Sequence, residues 1–174
     1  DINLFHLNTF LIRINYNVYS SGIIYHRDPE HEITRLSQRV KEIHKREGQK
    51  VHILGHSLGG VVGRGICHLS PDEVASLTAF GGPIGDFEED IDPFVLAWAK
   101  MIVPSFNQPD ELRERKDQLS EPLHEEVKTT YIYTKEDGVV HWRSTVDDNP
   151  QTENIEVPGT HSGLVANPHA YRNL

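Results

Sequence analysis

Val51-His52-Ile53-Leu54-Gly55-His56-Ser57-Leu58-Gly59-Gly60 is the stretch that decides the fold. Its first four residues read as a short buried strand, Gly55 breaks the run, and an apolar-periodic helix through Val61, Val62, Ile66 and Leu69 follows. A chain that turns this sharply from strand to helix holds the residue at the turn in a strained conformation and lifts its side chain clear of the backbone. Small neighbours are required. Gly55 and Gly59 flank Ser57 two residues to either side, where strand and helix are expected to approach too closely for most side chains, and Gly60 relaxes the packing further. The turn also sets Ser57 at a helix N-terminus, so free N–H groups, that of Leu58 first among them, face any negative charge developing there. A G-x-S-x-G string arises by chance in roughly one chain of this length in twenty. The strand before it and the helix after it therefore carry the argument.

Working outward, Asp28-Pro29-Glu30 reads as a helix start, and Ile33, Leu36, Val40 and Ile43 form one apolar stripe that ends at Gly48. Residues 4 to 13 read as the end of a helix, and Asn17-Val18-Tyr19 as a short strand. Downstream, Ser76 to Phe80, Thr129 to Thr134 and Asn154 to Val157 are three more strands, and Asn167-Pro168 opens a C-terminal helix. Strands separated by helical patterns favour right-handed crossovers, so the expected class is α/β, a mostly parallel sheet flanked by helices. Residues 1–174 are expected to form a single domain. Within it, residues 85–127 exceed a simple crossover and combine an acidic run, an apolar patch from Phe94 to Val103 and the charged segment Asp110 to Leu119. They are expected to be an inserted helical cap.

Composition narrows the function. The formal charge of -9 over 174 residues, with Lys and Arg scattered, argues against a nucleic-acid surface. Cys67 is the only cysteine, which excludes an internal disulfide and any Cys-rich metal or redox motif. No apolar run approaches the roughly 18 residues of a membrane helix, and Asp1-Ile2-Asn3 does not open a signal peptide. The expectation is a soluble protein, weakly favouring the cytoplasm, of open oligomeric state.

A serine nucleophile needs a base, and the base an orienting acid. In sheets of this kind they follow in the order serine, acid, histidine, each just past the C-terminal end of a strand. Asp137, in the turn Lys135-Glu136-Asp137-Gly138 after the third strand, is the expected acid; Glu136, Asp147 and Asp148 are the alternatives. His161, reached through Pro158-Gly159-Thr160 after the last strand, is the expected base. His141 comes too soon after the acid, His169 sits in the terminal helix, and His56 lies within the turn and generally would point away from the serine. No metal is expected among the 11 histidines: H-E-x-x-H is absent, and His31-Glu32 and His124-Glu125 lack a second histidine at the helical step. The acidic run Asp86 to Asp92 lacks the EF-hand pattern.

Four segments together resemble the lipase-like and esterase-like α/β hydrolases of bacterial type. They are residues 51 to 60, Leu77-Thr78-Ala79-Phe80-Gly81-Gly82-Pro83, residues 133 to 142 ending in His141-Trp142, and residues 154 to 164 with Pro-Gly-x-His. The resemblance spans roughly residues 14 to 168. It implies the α/β-hydrolase fold, a triad of Ser57, Asp137 and His161 without a cofactor, and Trp142 packed beneath the acid loop. It also implies a second oxyanion donor from a loop after an earlier strand. Residues 1 to 27 hold no such strand and loop, so the fold is expected to be incomplete at its N-terminus, at a cost of about 100- to 1,000-fold in turnover for one missing donor. Gly82-Pro83 stands where such families usually show Thr-Pro. The expected activity is hydrolysis of carboxylic, including lipid, esters through an acyl-enzyme on Ser57. The rivals are an acyltransferase with the same triad and a non-catalytic protein that keeps the fold.

Overall fold

Four parallel strands lie side by side in the order β1 (Val51–His56), β2 (Val74–Phe80), β3 (Lys128–Tyr133) and β4 (Thr152–Glu156). This computed structural model describes residues 4–23, 29–84 and 119–174, together with 93 and 97. The helices whose bounds fall among the described residues are α1 (Phe5–Arg13), α2 (Pro29–Glu47), α3 (Leu58–Leu69) and the short α4 (Pro168–Tyr171), with 3₁₀ turns at Trp142–Thr145 and Leu164–Ala166. Among the described residues no helix is long and apolar enough to cross a membrane.

The stripe on α2 does what its spacing predicts: Leu36, Val40 and Ile43 are buried. Glu30 and Glu32 in the first turn and His44, Lys45 and Arg46 in the last complement the helix dipole, and Gly48 closes the helix at a φ of 68°. Leu36 and Val40 join Val62, Ile66 and Cys67 of α3 and Val74 and Leu77 of β2 in one core. On the other face of the sheet Leu7 and Leu11 of α1 pack with Phe80, Ile132, Val157, Leu164 and Val165. Leu77 and Phe80, three apart on one strand, thus enter different cores, as the two-residue period of a strand requires. Each such side chain stabilises the fold by about 1.5–3 kcal/mol relative to exposure.

Two local expectations fail for visible reasons. Asn17-Val18-Tyr19 is not a strand: Asn17 and Tyr19 instead hydrogen-bond through their side chains to the Glu47 carboxylate, at 3.3 and 2.8 Å, tying the segment to the end of α2. Leu69, the last member of the α3 stripe, is 52% exposed because the helix ends there and the chain turns away at Ser70. The proposed cap, residues 85–127, lies outside the described residues except at 93, 97 and its C-terminal end, where Leu123 and Val127 join the first core.

Candidate active site

Parallel pairing brings four loops to one edge. The ladder continues past the strands: Ser57 donates its N–H to Phe80 O, Gly81 to Ile132 O and Val157 to Tyr133 O, each at 2.9 Å. The residues following β1, β2, β3 and β4 therefore emerge as neighbours at the C-terminal end of the sheet, where open α/β sheets gather their sites.

Ser57 sits at φ 53° and ψ -126°, a conformation that costs a non-glycine residue about 1–3 kcal/mol and marks a turn held by its surroundings. Its side chain makes no capping bond to α3, and Leu58 is the first residue of that helix, so the Leu58 N–H has no acceptor in a preceding turn. The small residues around it are only partly those expected. A Cβ on Gly55 would meet the backbone of Gly59 and come within 2.7 Å of Gly60 N, so Gly55 is required. A Cβ on Gly59 would meet nothing within 4 Å; the crowding expected there falls on Gly60, whose Cβ would lie 3.1 Å from both Ala79 Cβ and Gly82 Cα. Gly82 is crowded reciprocally, since its Cβ would lie 3.1 Å from Gly60 Cα and from Ser57 O. A threonine in place of Gly82 would push against the Ser57 turn itself.

Asp137 and His161 are brought together. Asp137 Oδ2 accepts from His161 Nδ1 at 2.7 Å, and Asp137 Oδ1 accepts from the N–H groups of Val139 and Val140 at 2.8 and 2.9 Å. Both side chains are buried, 2% and 8% exposed. Burial alone raises the Asp137 carboxyl pKa, but the hydrogen bond from His161 and those from Val140 and Val139 outweigh it and hold the group below its ordinary value. With Nδ1 carrying the proton, His161 Nε2 is the ring's acceptor. Among the described residues neither Nε2 nor the Ser57 hydroxyl has a hydrogen-bond partner. The Gly81-Gly82 turn lies between: a Cβ on Gly81, at φ 57°, would sit 3.1 Å from His161 Nδ1 and 3.3 Å from Asp137 Oδ2.

The competing residues have other work. Glu136 accepts from Gly159 N–H at 3.3 Å, joining the acid loop to the base loop, and Thr134 Oγ1 donates to Gly159 O at 2.8 Å for the same purpose. Asp147 is turned to Arg64, 3.1 Å away, and also accepts from Asn149 N–H and Thr152 Oγ1; Asp148 is exposed. His141 and His169 are exposed, and His31 is 64% exposed. Cys67 is buried, and burial pushes its thiol pKa up to about 12, so it is no nucleophile. Trp142 stacks on Tyr133, the residue before the acid loop, at 5.8 Å with Lys135 over its face. Among the described residues no three His, Cys, Asp or Glu side chains form a group that could hold a metal.

Sequence reasoning missed three supports. His56, set aside as pointing elsewhere, places its Nε2 3.0 Å from the His161 carbonyl oxygen. Asn167 caps α4 and also donates to Pro158 O at 2.6 Å, bracing the base loop; an Asn-Pro helix start was the available signal. Arg64, 2% exposed, donates to Tyr131 OH at 2.9 Å, to Asp147, and to the carbonyls of Leu119 and Glu121, joining α3 to the chain that enters β3.

A four-stranded parallel sheet between helices, with a strained serine where a strand meets a helix, defines a protein of the hydrolase type of fold. A family model for the alpha/beta hydrolase fold matches residues 44–127. Among solved structures, a lipase-esterase related protein from Clostridium acetobutylicum superimposes at a TM-score of 0.66, 11% identical, over 98% of this chain and 85% of its own. The monoacylglycerol lipase of Paleococcus ferrophilus does so at 0.55, 14% identical, over 78% of this chain and 68% of its own. The thioesterase domain from the curacin biosynthetic pathway also superimposes at 0.55, 12% identical, over 87% and 74%. No curated protein sequence matches the chain significantly. The matched segment and these superpositions give the chain the α/β-hydrolase fold.

Proposed function

We propose that the chain hydrolyses carboxylic esters, lipid esters among them, through an acyl-enzyme on Ser57, with His161 as general base, Asp137 orienting it and the Leu58 N–H as one oxyanion donor. The observation that carries this reading is the 2.7 Å hydrogen bond between the buried Asp137 and His161, formed beside a serine held at positive φ. It favours chemistry because such a pair fixes the imidazole tautomer with Nε2 as acceptor, the form that can take a proton from a hydroxyl.

The steps follow from those roles. As the Ser57 oxygen attacks the ester carbonyl carbon, its proton passes to His161 Nε2 and the carbonyl oxygen takes up negative charge at the N-terminus of α3. Asp137 stabilises the imidazolium. The tetrahedral intermediate collapses as the proton goes to the departing alkoxide, which leaves as the alcohol. Water, activated by the same histidine, then attacks the acyl-serine and releases the acid. No cofactor enters these steps.

A reporter-bearing fluorophosphonate and a p-nitrophenyl ester test the reading. Wild type is expected to give one adduct on Ser57, and Ser57→Ala is expected to lose labelling completely and hydrolysis by at least about a thousandfold. An adduct elsewhere, or hydrolysis that survives in Ser57→Ala, would sink it.

A further inference from the structure

We propose that His56, the residue before the nucleophile, is a positioning residue that fixes the base loop to the nucleophile turn by donating a hydrogen bond from Nε2 to the backbone carbonyl of His161. This rests on the serine-hydrolase reading of the same site and adds to it the element that sets the distance between nucleophile and base.

The geometry defines the donor. A carbonyl oxygen only accepts, so the His56 Nε2 at 3.0 Å must carry the hydrogen. The two rings lie 4.8 Å apart at 44°, so His56 backs His161 with its ring as well as its hydrogen bond. The other ties on this loop come from elsewhere: Thr134 and Glu136 of the acid loop hold Gly159, and Asn167 of the C-terminal segment holds Pro158. Those contacts set the base against the acid. His56, at the end of β1 and peptide-bonded to Ser57, sets it against the nucleophile.

Histidine suits this position for its charge as much as its reach. His161 becomes cationic when it takes the serine proton, and a second cation 4.8 Å away would oppose that transfer. Burial, and then the neighbouring His161, hold the His56 pKa below its ordinary value, so His56 gives its hydrogen bond as a neutral ring. A lysine or arginine would supply a donor and the unwanted charge together.

The test uses the full chain and the rate of fluorophosphonate labelling at Ser57, with melting temperature measured alongside. His56→Leu fills similar space without a donor and is expected to slow labelling about tenfold, since small misplacements of reacting groups cost one to two orders of magnitude. His56→Gln, whose amide nitrogen can stand near the position of Nε2, is expected to recover labelling to within about threefold of wild type. A purely structural role would not separate these two variants at equal folded fraction. Should His56→Leu fail to fold, His56→Asn, whose donor is too short to reach, takes its place with the same expectation. Wild-type labelling in the Leu or Asn variant, or a Gln variant as slow as the Leu one, overturns the positioning role and leaves the serine-hydrolase reading intact. A wild-type chain that never labels overturns both.

Discussion

Two buried acidic side chains meet two basic ones in this molecule, and they meet on different terms. Arg64 and Asp147, 2% and 12% exposed, are saturated: Arg64 gives hydrogen bonds from Nε, Nη1 and Nη2, and Asp147 accepts from three donors. Asp137 and His161 are as deeply placed, yet their acceptor budget closes only on the carboxylate, leaving His161 Nε2 without a partner among the described residues. A buried pair whose two side chains both spend their polar groups on the protein is an architectural joint; one that leaves a ring nitrogen open at the C-terminal end of the sheet has the form the proposed proton transfer requires. The contrast assigns opposite consequences to breaking each pair.

Breaking the open pair is expected to have the largest effect, and chiefly on rate. Asp137→Asn keeps an oxygen for the Val139 and Val140 N–H groups but offers His161 Nδ1 no carboxylate. The imidazole loses its enforced tautomer and the stabilisation of its cation, so kcat for a p-nitrophenyl ester should fall by about 10³- to 10⁴-fold. The melting temperature should hold within a few degrees. A loss below tenfold would move the acid role to another residue.

Breaking the saturated pair should do the reverse. Arg64→Met strands Asp147 and the Tyr131 hydroxyl in the interior and releases the carbonyls of Leu119 and Glu121. Removing one partner of a buried pair costs about 3–5 kcal/mol, or on the order of 10 °C in melting temperature for a chain of this size. Labelling of Ser57 per folded molecule should not change. If the rate falls at constant folded fraction instead, the two pairs are coupled through α3 and the contrast between them is wrong.

The same contrast explains what could be read from sequence. The sequence signals of the Ser57 turn, an apolar strand, flanking glycines and a periodic helix, lie in one continuous stretch from Val51 to Leu69, so the fold class and the strained turn at Ser57 were visible locally. Asp137 and His161 could be reached at a distance only because parallel strands deliver their C-terminal loops to one edge in chain order. Arg64 offered no such route. It interrupts Val61-Val62-Gly63-Arg64-Gly65-Ile66, where a charge reads as the solvent side of a helix, and its partner lies 83 residues on. Gly60 facing Gly82, and His56 reaching His161, are likewise contacts between elements, and periodicity within one element carries no trace of them.

The smallest effect expected is a dependence of stability on pH that belongs to the open pair. The Asp137 carboxyl lies below its ordinary 3.8 in the folded chain, because hydrogen bonds from His161 and the Val140 and Val139 N–H groups outweigh the burial that would raise it. The unfolded chain therefore binds this proton more readily than the folded one. Its contribution is fully present above the unfolded value and is lost as pH falls from there through the lower folded value. The urea midpoint of wild type should accordingly exceed that of Asp137→Asn near neutrality by a margin that narrows below about pH 4. A margin that stays constant from pH 6 to pH 3 would show that the Asp137 carboxylate is not held in its charged form by the pair, and the role proposed for that pair would lose its electrostatic support.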